Sequence, residues 1–350
     1  MITVLIASFV ILLSFYLLAV ISEDYFVPAI DKLSNKLGLS SDAAGATLLA
    51  MGSSAPEFFT SLFAVFGTGN NSDIGAGAIV GSAIFNVLVI VGAAAAYKAV
   101  TLQWQPVIRD MVFYIISILL LLFAFSDGKV TLLEAGAFTT MYLVYVFAVV
   151  RWRRWFKYED INAVEMLKDN KVGRLGTATR AALDKILISP HKRPHMYLLT
   201  FLLSIGSIAL LSSFLVRGVE EIAHVLDINA TFLALTVLAA GTSIPDLIGS
   251  VVVAKQGRGD MAVSNAIGSN IFDILFGLGM PWMLVILFRG DDVAVSSNNL
   301  TSSVVLLFAT VIALLFLMTS RNWKLGNKSG YVLIGLYGVY LVYVTFTVLL

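Results

Sequence analysis

From Ile2 to Leu349 the chain alternates between apolar runs about twenty residues long and short polar connections. A hydrocarbon layer about 30 Å thick demands helices of that length, in which every backbone hydrogen bond is made within the segment. Ten such runs can be drawn, at about 2–21, 44–66, 76–97, 108–126, 132–150, 197–216, 229–254, 263–288, 299–319 and 330–349. The first is too long and too apolar for a cleaved leader and has no basic residues ahead of it, so it is expected to be the first span. Of the 350 residues 59% are hydrophobic and 13% charged. A soluble domain carries about 25% charged residues, and a chain this apolar could not cover its own core in water. The absence of cysteine excludes disulfides and thiolate metal sites. A net charge of +1 gives no reason to expect nucleic acid as a partner. The expected partner is the lipid bilayer.

The connections fall into two sets. Those at 22–43, 98–109, 151–196, 255–262 and 320–329 hold all of the 23 lysines and arginines except Lys129, Arg217 and Arg289. Basic residues accumulate on the cytoplasmic side of membrane proteins. This places the long connection 151–196 in the cytoplasm and both termini outside, with the cell membrane as the expected location. The stretch Arg151-Trp152-Arg153-Arg154-Trp155-Phe156-Lys157 reads as an interfacial anchor at the end of a span.

Two stretches of the chain match each other. Ala46-Thr47-Leu48-Leu49-Ala50-Met51-Gly52-Ser53-Ser54-Ala55-Pro56-Glu57 aligns with Leu235-Thr236-Val237-Leu238-Ala239-Ala240-Gly241-Thr242-Ser243-Ile244-Pro245-Asp246. Further on, Gly81-Ser82-Ala83-Ile84-Phe85-Asn86 aligns with Gly268-Ser269-Asn270-Ile271-Phe272-Asp273, and Asp73 with Asp260. Five spans separate the copies. An odd number reverses direction, so the copies cross the membrane in opposite senses. The fold expected is an all-α polytopic membrane protein of ten transmembrane helices in two inverted five-helix repeats, residues 1–150 and 197–350, joined by the cytoplasmic loop 151–196. Inverted repeats with helices broken by glycine and proline place a transport site at the junction near the midplane.

Glu57, Asp246 and Asp273 lie inside apolar runs, where an ionised carboxylate costs several kcal/mol unless something neutralises it. The four runs that carry the motifs contain no lysine, arginine or histidine. Bound cations or protons are the remaining partners. Ser53, Ser54, Ser82, Asn86, Thr242, Ser243, Ser269 and Asn270 supply neutral oxygens, and Ca2+ takes six to eight oxygens in irregular geometry. Pro56 and Pro245 cannot donate backbone hydrogen bonds and release carbonyls near Gly52 and Gly241. With the carbonyls of Ala50 and Ala239 these can complete a cation shell. Three ionised carboxylates balance one Ca2+ and one K+, or several Na+ ions, and a proton on one of them is the alternative.

These strings resemble the two α-repeats of the Ca2+/cation antiporter superfamily, which includes the Na+/Ca2+ exchangers, and the K+-dependent branch is the most similar. The motifs cover roughly 85 residues, and the ten-span layout agrees over the rest. The resemblance implies a secondary transporter, not an enzyme. It would exchange Na+ for Ca2+ by alternating access, with K+ as a companion of Ca2+, and need no cofactor. It puts the central Ca2+ carboxylates on Glu57 and Asp246 and a K+-associated carboxylate on Asp273. It puts side-chain ligands on Ser53, Ser54, Ser82, Asn86, Thr242, Ser243 and Ser269, and backbone ligands on Ala50 and Ala239. One departure touches K+: Gly249 stands where K+-dependent members tend to carry threonine.

Two rival readings follow from the same residues. A H+/Ca2+ antiporter would titrate the carboxylates instead of exchanging Na+, although a proton needs only one acceptor and leaves the many neutral oxygens without a use. An intramembrane aspartyl protease would use Gly257-Arg258-Gly259-Asp260, but that string sits in a short connection and no second motif of the class accompanies it.

Overall fold

The structure is a computed structural model that describes residues 2–36, 50–67, 72–156, 174–188, 194–255, 259–295 and 297–349. Helix α1 (Ile2–Ile21) passes through a π-helical turn (Ser22–Phe26) into α2 (Val27–Lys36). The next described elements are the short α3 (Ala50–Ser53) and α4 (Ala55–Phe66). Helix α5 (Ser72–Phe85) continues through a π-helical turn (Asn86–Ile90) into α6 (Val91–Tyr97). Helices α7 (Trp104–Ala124) and α8 (Leu132–Trp155) follow, and α9 (Arg174–Leu183) lies in the long connection. The second half opens with α10 (Tyr197–Leu226). Then α11 (Ala230–Leu233), a π-helical turn (Ala234–Leu238) and α12 (Ala239–Thr242) form one rod, followed by α13 (Ile244–Lys255). Helix α14 (Gly259–Phe272) runs through a π-helical turn (Asp273–Leu278) into α15 (Gly279–Arg289), and α16 (Ser297–Ser320) and α17 (Asn327–Val344) complete the chain. The start of the run at 44–66, residues 157–173 and 189–193 of the loop 151–196, Gly257, Arg258 and the Asp260 side chain lie outside the described residues.

Among the described residues eight helices are long and apolar enough to cross a membrane, and two apolar helices, Ala55–Phe66 and Ala230–Thr242, are shorter. The runs at 44–66 and 229–254, drawn above as continuous, are each broken at one serine. Ser54 has φ −91° and ψ 10°, and Ser243 has φ −86° and ψ 0°. Both sit in the sparsely occupied bridge region. The cause lies two residues on. Pro56 and Pro245 have no N–H to give, and their rings exclude the carbonyl four residues back, so the helix must stop and restart with proline in its first turn. The two copies then repeat each other in detail. Each has a 12-residue helix after the break, a 14-residue helix ending at Phe85 or Phe272, and a π-helical turn opened by Asn86 or Asp273.

The centre of the molecule is the rod Ser72–Tyr97, whose apolar window is 94% buried, against 17% for Asn327–Val348 at the periphery. Small residues allow this enclosure, because membrane helices approach closely where glycine and alanine face each other. A β-carbon on Gly81 would run into the Leu235 carbonyl and lie 2.7 Å from the Ala239 β-carbon. The first motif region is thereby pressed directly onto the second. Outside this core, Ile2, Leu5, Phe9 and Leu12 of α1 and Phe316 of α16 are exposed, as a lipid-facing surface requires.

The bundle is all-α, as expected, and two features of its connections add to the layout drawn from the sequence. Two short antiparallel ladders tie the halves together: Val100–Thr101 pairs with Lys324–Leu325, and Lys129–Val130 pairs with Val293–Ala294. The first joins connections 98–109 and 320–329, which the basic-residue pattern puts on one side. Arg109, counted above as a loop charge, is 5% exposed in the second turn of α7. Its guanidinium pairs with Asp110 through Nε–Oδ1 at 2.7 Å and Nη2–Oδ2 at 3.1 Å, and the Tyr145 hydroxyl donates to the same carboxylate at 3.1 Å. A neighbouring opposite charge thus lets the residue lie buried in the span. At the end of α8, Trp152 Nε1 donates to the Gln105 carbonyl at 3.2 Å, and the Arg151 guanidinium lies over the Phe147 ring.

Gly81→Ala should therefore lower the thermal unfolding midpoint in detergent, with a penalty of about 1–3 kcal/mol typical of an overpacked contact. Gly335→Ala in α17, where an added β-carbon meets nothing within 4 Å, should leave the midpoint unchanged or slightly raised. Fluorescence-monitored melting of the two variants separates the cases.

Candidate cation site

The breaks in the two rods decide where the carboxylates go. Because each helix restarts one residue before its proline, Glu57 and Asp246 fall in the first turns of α4 and α13. Unpaired N–H groups at a helix start favour negative charge there. Asp273 opens the π-helical turn after α14. Glu57, Asp246 and Asp273 are 1%, 6% and 1% exposed. Glu57 lies within electrostatic reach of both aspartates, and Asp246 within reach of Asp273. Both carboxylate oxygens of Glu57, Oδ2 of Asp246 and Oδ1 of Asp273 are buried without a hydrogen-bond partner. Buried polar atoms are ordinarily paired, and an orphan costs about 1–3 kcal/mol, more when charged. Among the described residues no three acidic or histidine side chains converge tightly enough to chelate one ion by themselves. An ion here draws on fewer carboxylates and on the neutral oxygens around them.

Those oxygens come from both motif copies, and several of their contacts cross from one copy to the other. Ser53 lies beside Asp246. Ser54 lies beside Asp273, its hydroxyl buried and without a partner. Thr242 lies beside Glu57, with its hydroxyl given to the carbonyls of Leu238 at 3.1 Å and Ala239 at 3.3 Å. Ser82 and Ser243 share a hydrogen bond of 2.6 Å. Asn86 Nδ2 donates to Asn270 Oδ1 at 2.8 Å and to Ser269 Oγ at 3.5 Å, leaving Asn86 Oδ1 buried and unpartnered. Ser269 gives its own proton to the Ala266 carbonyl at 3.3 Å. The Ala239 carbonyl also accepts from the Ser243 amide at 3.3 Å, and Ala50 opens α3 on the opposite rod.

The released carbonyls behave differently from expectation at one position. Gly52 O, expected to complete a cation shell, accepts a hydrogen bond of 3.4 Å from Ser22 Oγ in the π-helical turn after α1. Pro56 O is met in the same way by Ser212 Oγ of α10 at 3.3 Å. The two long outer helices thus supply donors to the broken rod. Helix α1 also covers the second motif, since a β-carbon on Gly241 would fall inside the Phe15 ring. Asn270, counted above among the available oxygens, has its oxygen engaged by Asn86. Three buried hydroxyls without a partner, Thr60, Ser61 and Ser250, were not singled out. Ser61 and Ser250 each stand four residues after a motif carboxylate, so extending the repeat alignment by one helical turn would have found them.

A family model described as sodium/calcium exchanger protein matches the chain twice, over residues 7–151 and 196–346. Sodium/potassium/calcium exchanger 1 of Gallus gallus is 28% identical to it, in an alignment covering 94% of this chain and 76% of the relative. Sodium/potassium/calcium exchanger 2 of Homo sapiens is 27% identical with the same coverage. Among solved structures, the sodium-calcium exchanger NCX_Mj soaked with Na+ and Sr2+ superposes with a TM-score of 0.60 at 22% identity, over 97% of this chain and 99% of that one. The H+/Ca2+ exchanger CAX superposes with a TM-score of 0.67 at 16% identity, over 97% and 87%. These two likenesses show a shared fold. The double family match shows more: this chain belongs to the sodium/calcium exchanger family and is a multi-pass membrane transporter exchanging cations for Ca2+.

Proposed function

We propose that the chain exchanges Na+ for Ca2+ by alternating access, through one site lined by Glu57, Asp246 and Asp273 and completed by the oxygens of Ser53, Ser54, Ser82, Asn86, Thr242, Ser243, Ser269, Ala50 and Ala239. One observation carries the reading. Three buried carboxylates with orphaned oxygens lie where the two motif copies meet, in runs that contain no basic side chain. Cations are the partners that such a set of oxygens attracts. Neutral oxygens placed around few carboxylates suit Na+ and Ca2+, and the charge of the set lets one displace the other.

The layout is read as ten spans in two inverted five-helix repeats, 1–150 and 197–350, with 151–196 in the cytoplasm, both termini outside and the cell membrane as location. The twin breaks at Ser54 and Ser243, the equal lengths of the flanking helices and the two cross-half ladders support the repeats. The asymmetry of the basic residues supports the orientation. K+ is carried beside Ca2+ in this reading, because Asp273 gives the second copy one more carboxylate than Asn86 gives the first. The similarity to sodium/potassium/calcium exchangers points the same way. The fold is shared with a H+/Ca2+ exchanger as well, and transport measurements distinguish the two couplings.

In proteoliposomes, an outward Na+ gradient should drive Ca2+ uptake that persists when the pH gradient is collapsed and falls when K+ is replaced by choline. Uptake that follows the pH gradient and ignores Na+ would establish proton coupling instead. In Asp273→Asn, Na+-driven uptake should remain and its K+ requirement should disappear. Wild-type uptake indifferent to K+ would rule out the coupled mechanism.

Glu57→Gln should lower Ca2+ flux by about two orders of magnitude, since Ca2+ affinity follows ligand charge. The ion-free variant should melt at a higher temperature than the ion-free wild type, because a neutral amide is cheaper to bury than a carboxylate. It should also lose the Ca2+-induced stabilisation, which for a site at a hundred times its Kd is about 2.7 kcal/mol. A variant that melts lower and still responds to Ca2+ would contradict the assignment.

With no native cysteine, sidedness can be read from single replacements. Lys129→Cys should react with a membrane-impermeant maleimide in intact cells and Lys324→Cys only after permeabilisation. The reverse pattern would invert the topology.

A further inference from the structure

The two members of the pair Asn86 and Asp273 pose different problems to a cation. A carboxylate presents oxygen in every orientation. An amide presents oxygen in one and an N–H2 group in the other, and the two are nearly the same shape. Packing alone cannot choose between them. If Asn86 turned its nitrogen toward the ions, it would repel what its oxygen attracts.

We propose that Asn270, backed by Tyr114, is a positioning residue that locks the Asn86 amide with its oxygen toward the ions. The inference rests on the cation-site reading above and assigns a role to two residues outside the ligand set. The chain of donors runs one way. The Ala83 carbonyl can only accept, and it takes a hydrogen bond from Asn270 Nδ2 at 3.1 Å. The Tyr114 hydroxyl on α7 accepts from the same nitrogen at 2.9 Å. With its nitrogen held there, Asn270 can show Asn86 only its oxygen, an acceptor, so Asn86 must answer with Nδ2, at 2.8 Å. Ser269 adds a weaker contact of the same sense at 3.5 Å, since its proton is engaged by the Ala266 carbonyl and its lone pairs face Asn86. Asn86 Oδ1 is left buried and unpartnered. All of these side chains are fully buried, so water cannot substitute for any link. The repeat explains why only one copy has the device. Asn270 aligns with Ala83, and the copy whose ligand is a carboxylate needs no orienting neighbour.

The test is the Ca2+ half-saturation of Na+-driven uptake. Asn270→Leu lets the Asn86 amide turn. It should raise the half-saturation about tenfold, the effect of losing one well-placed polar contact, with the maximal rate within about twofold of wild type. Tyr114→Phe removes a single oxygen and should raise it about threefold, which keeps the test available if the leucine variant fails to fold. In an Asn86→Ala background neither change should shift the half-saturation further, because the device acts only through Asn86. An unchanged half-saturation in the single variants, an equal shift in both backgrounds, or a lost maximal rate at constant half-saturation would each overturn the proposal. Glu57→Gln run alongside distinguishes the two levels: normal transport there overturns the site itself, whereas a dead Glu57→Gln with unshifted Asn270 and Tyr114 variants overturns only the orienting role.

Discussion

Burying three carboxylates in the middle of an apolar bundle is the constraint on which the rest of this structure depends. No basic residue in the motif runs answers them. The chain instead surrounds them with weak dipoles: the starts of α4 and α13, the serine hydroxyls of both copies, and one amide. Each is too small to bind the charge as an arginine would. That weakness suits a transporter, because a site neutralised permanently by a guanidinium would have no need of ions. Elsewhere in the same bundle the opposite solution appears. Arg109 and Asp110 neutralise each other in α7, with Tyr145 as a third partner, and leave no call for a cation.

The broken rods follow from this requirement. A continuous helix spends all its backbone N–H and C=O groups on itself. Proline at 56 and 245 forces a stop, and the single serine between the half-helices exposes helix ends in the bundle interior, where lipid cannot reach. The released groups are then shared between the site and the outer helices. Ser22, in the turn after α1, takes up the released Gly52 O, and Ser212 adds a second bond to Pro56 O in the first turn of α4. The outer helices are also bonded to the long connection: Arg180 of α9 pairs with Asp24, and the Tyr25 hydroxyl donates to Asp184 at 2.9 Å. Chain between the halves is thus bonded to a helix that covers the site.

Much of this was legible in the sequence, for reasons that differ by residue. The apolar runs, the twin motifs and the three carboxylates are local patterns, and lipid leaves few folds that satisfy them. The prolines announced that the two rods would be disturbed, but not that a single serine would carry each break. Arg109 was assigned to a loop because a charge near the end of an apolar run looks solvated until its neighbour is known to fold against it. Asn270 looked like one more oxygen. Its partners Asn86, Ala83 and Tyr114 lie 156 or more residues away, and no spacing rule reveals which atom of an amide a distant hydroxyl will hold. The two-residue ladders escaped for the same reason, since each pairs connections from opposite halves.

If one set of carboxylates serves both ions, Na+ and Ca2+ must exclude each other at equilibrium, before any transport occurs. The direct measurement is a Ca2+ binding isotherm on the purified protein in detergent, at fixed ionic strength and K+, with choline replaced stepwise by Na+. The account expects the Ca2+ midpoint to climb steadily with Na+, with the number of bound Ca2+ at saturation unchanged. A midpoint that stays fixed up to high Na+ would show that the ions occupy separate places and would contradict the shared site.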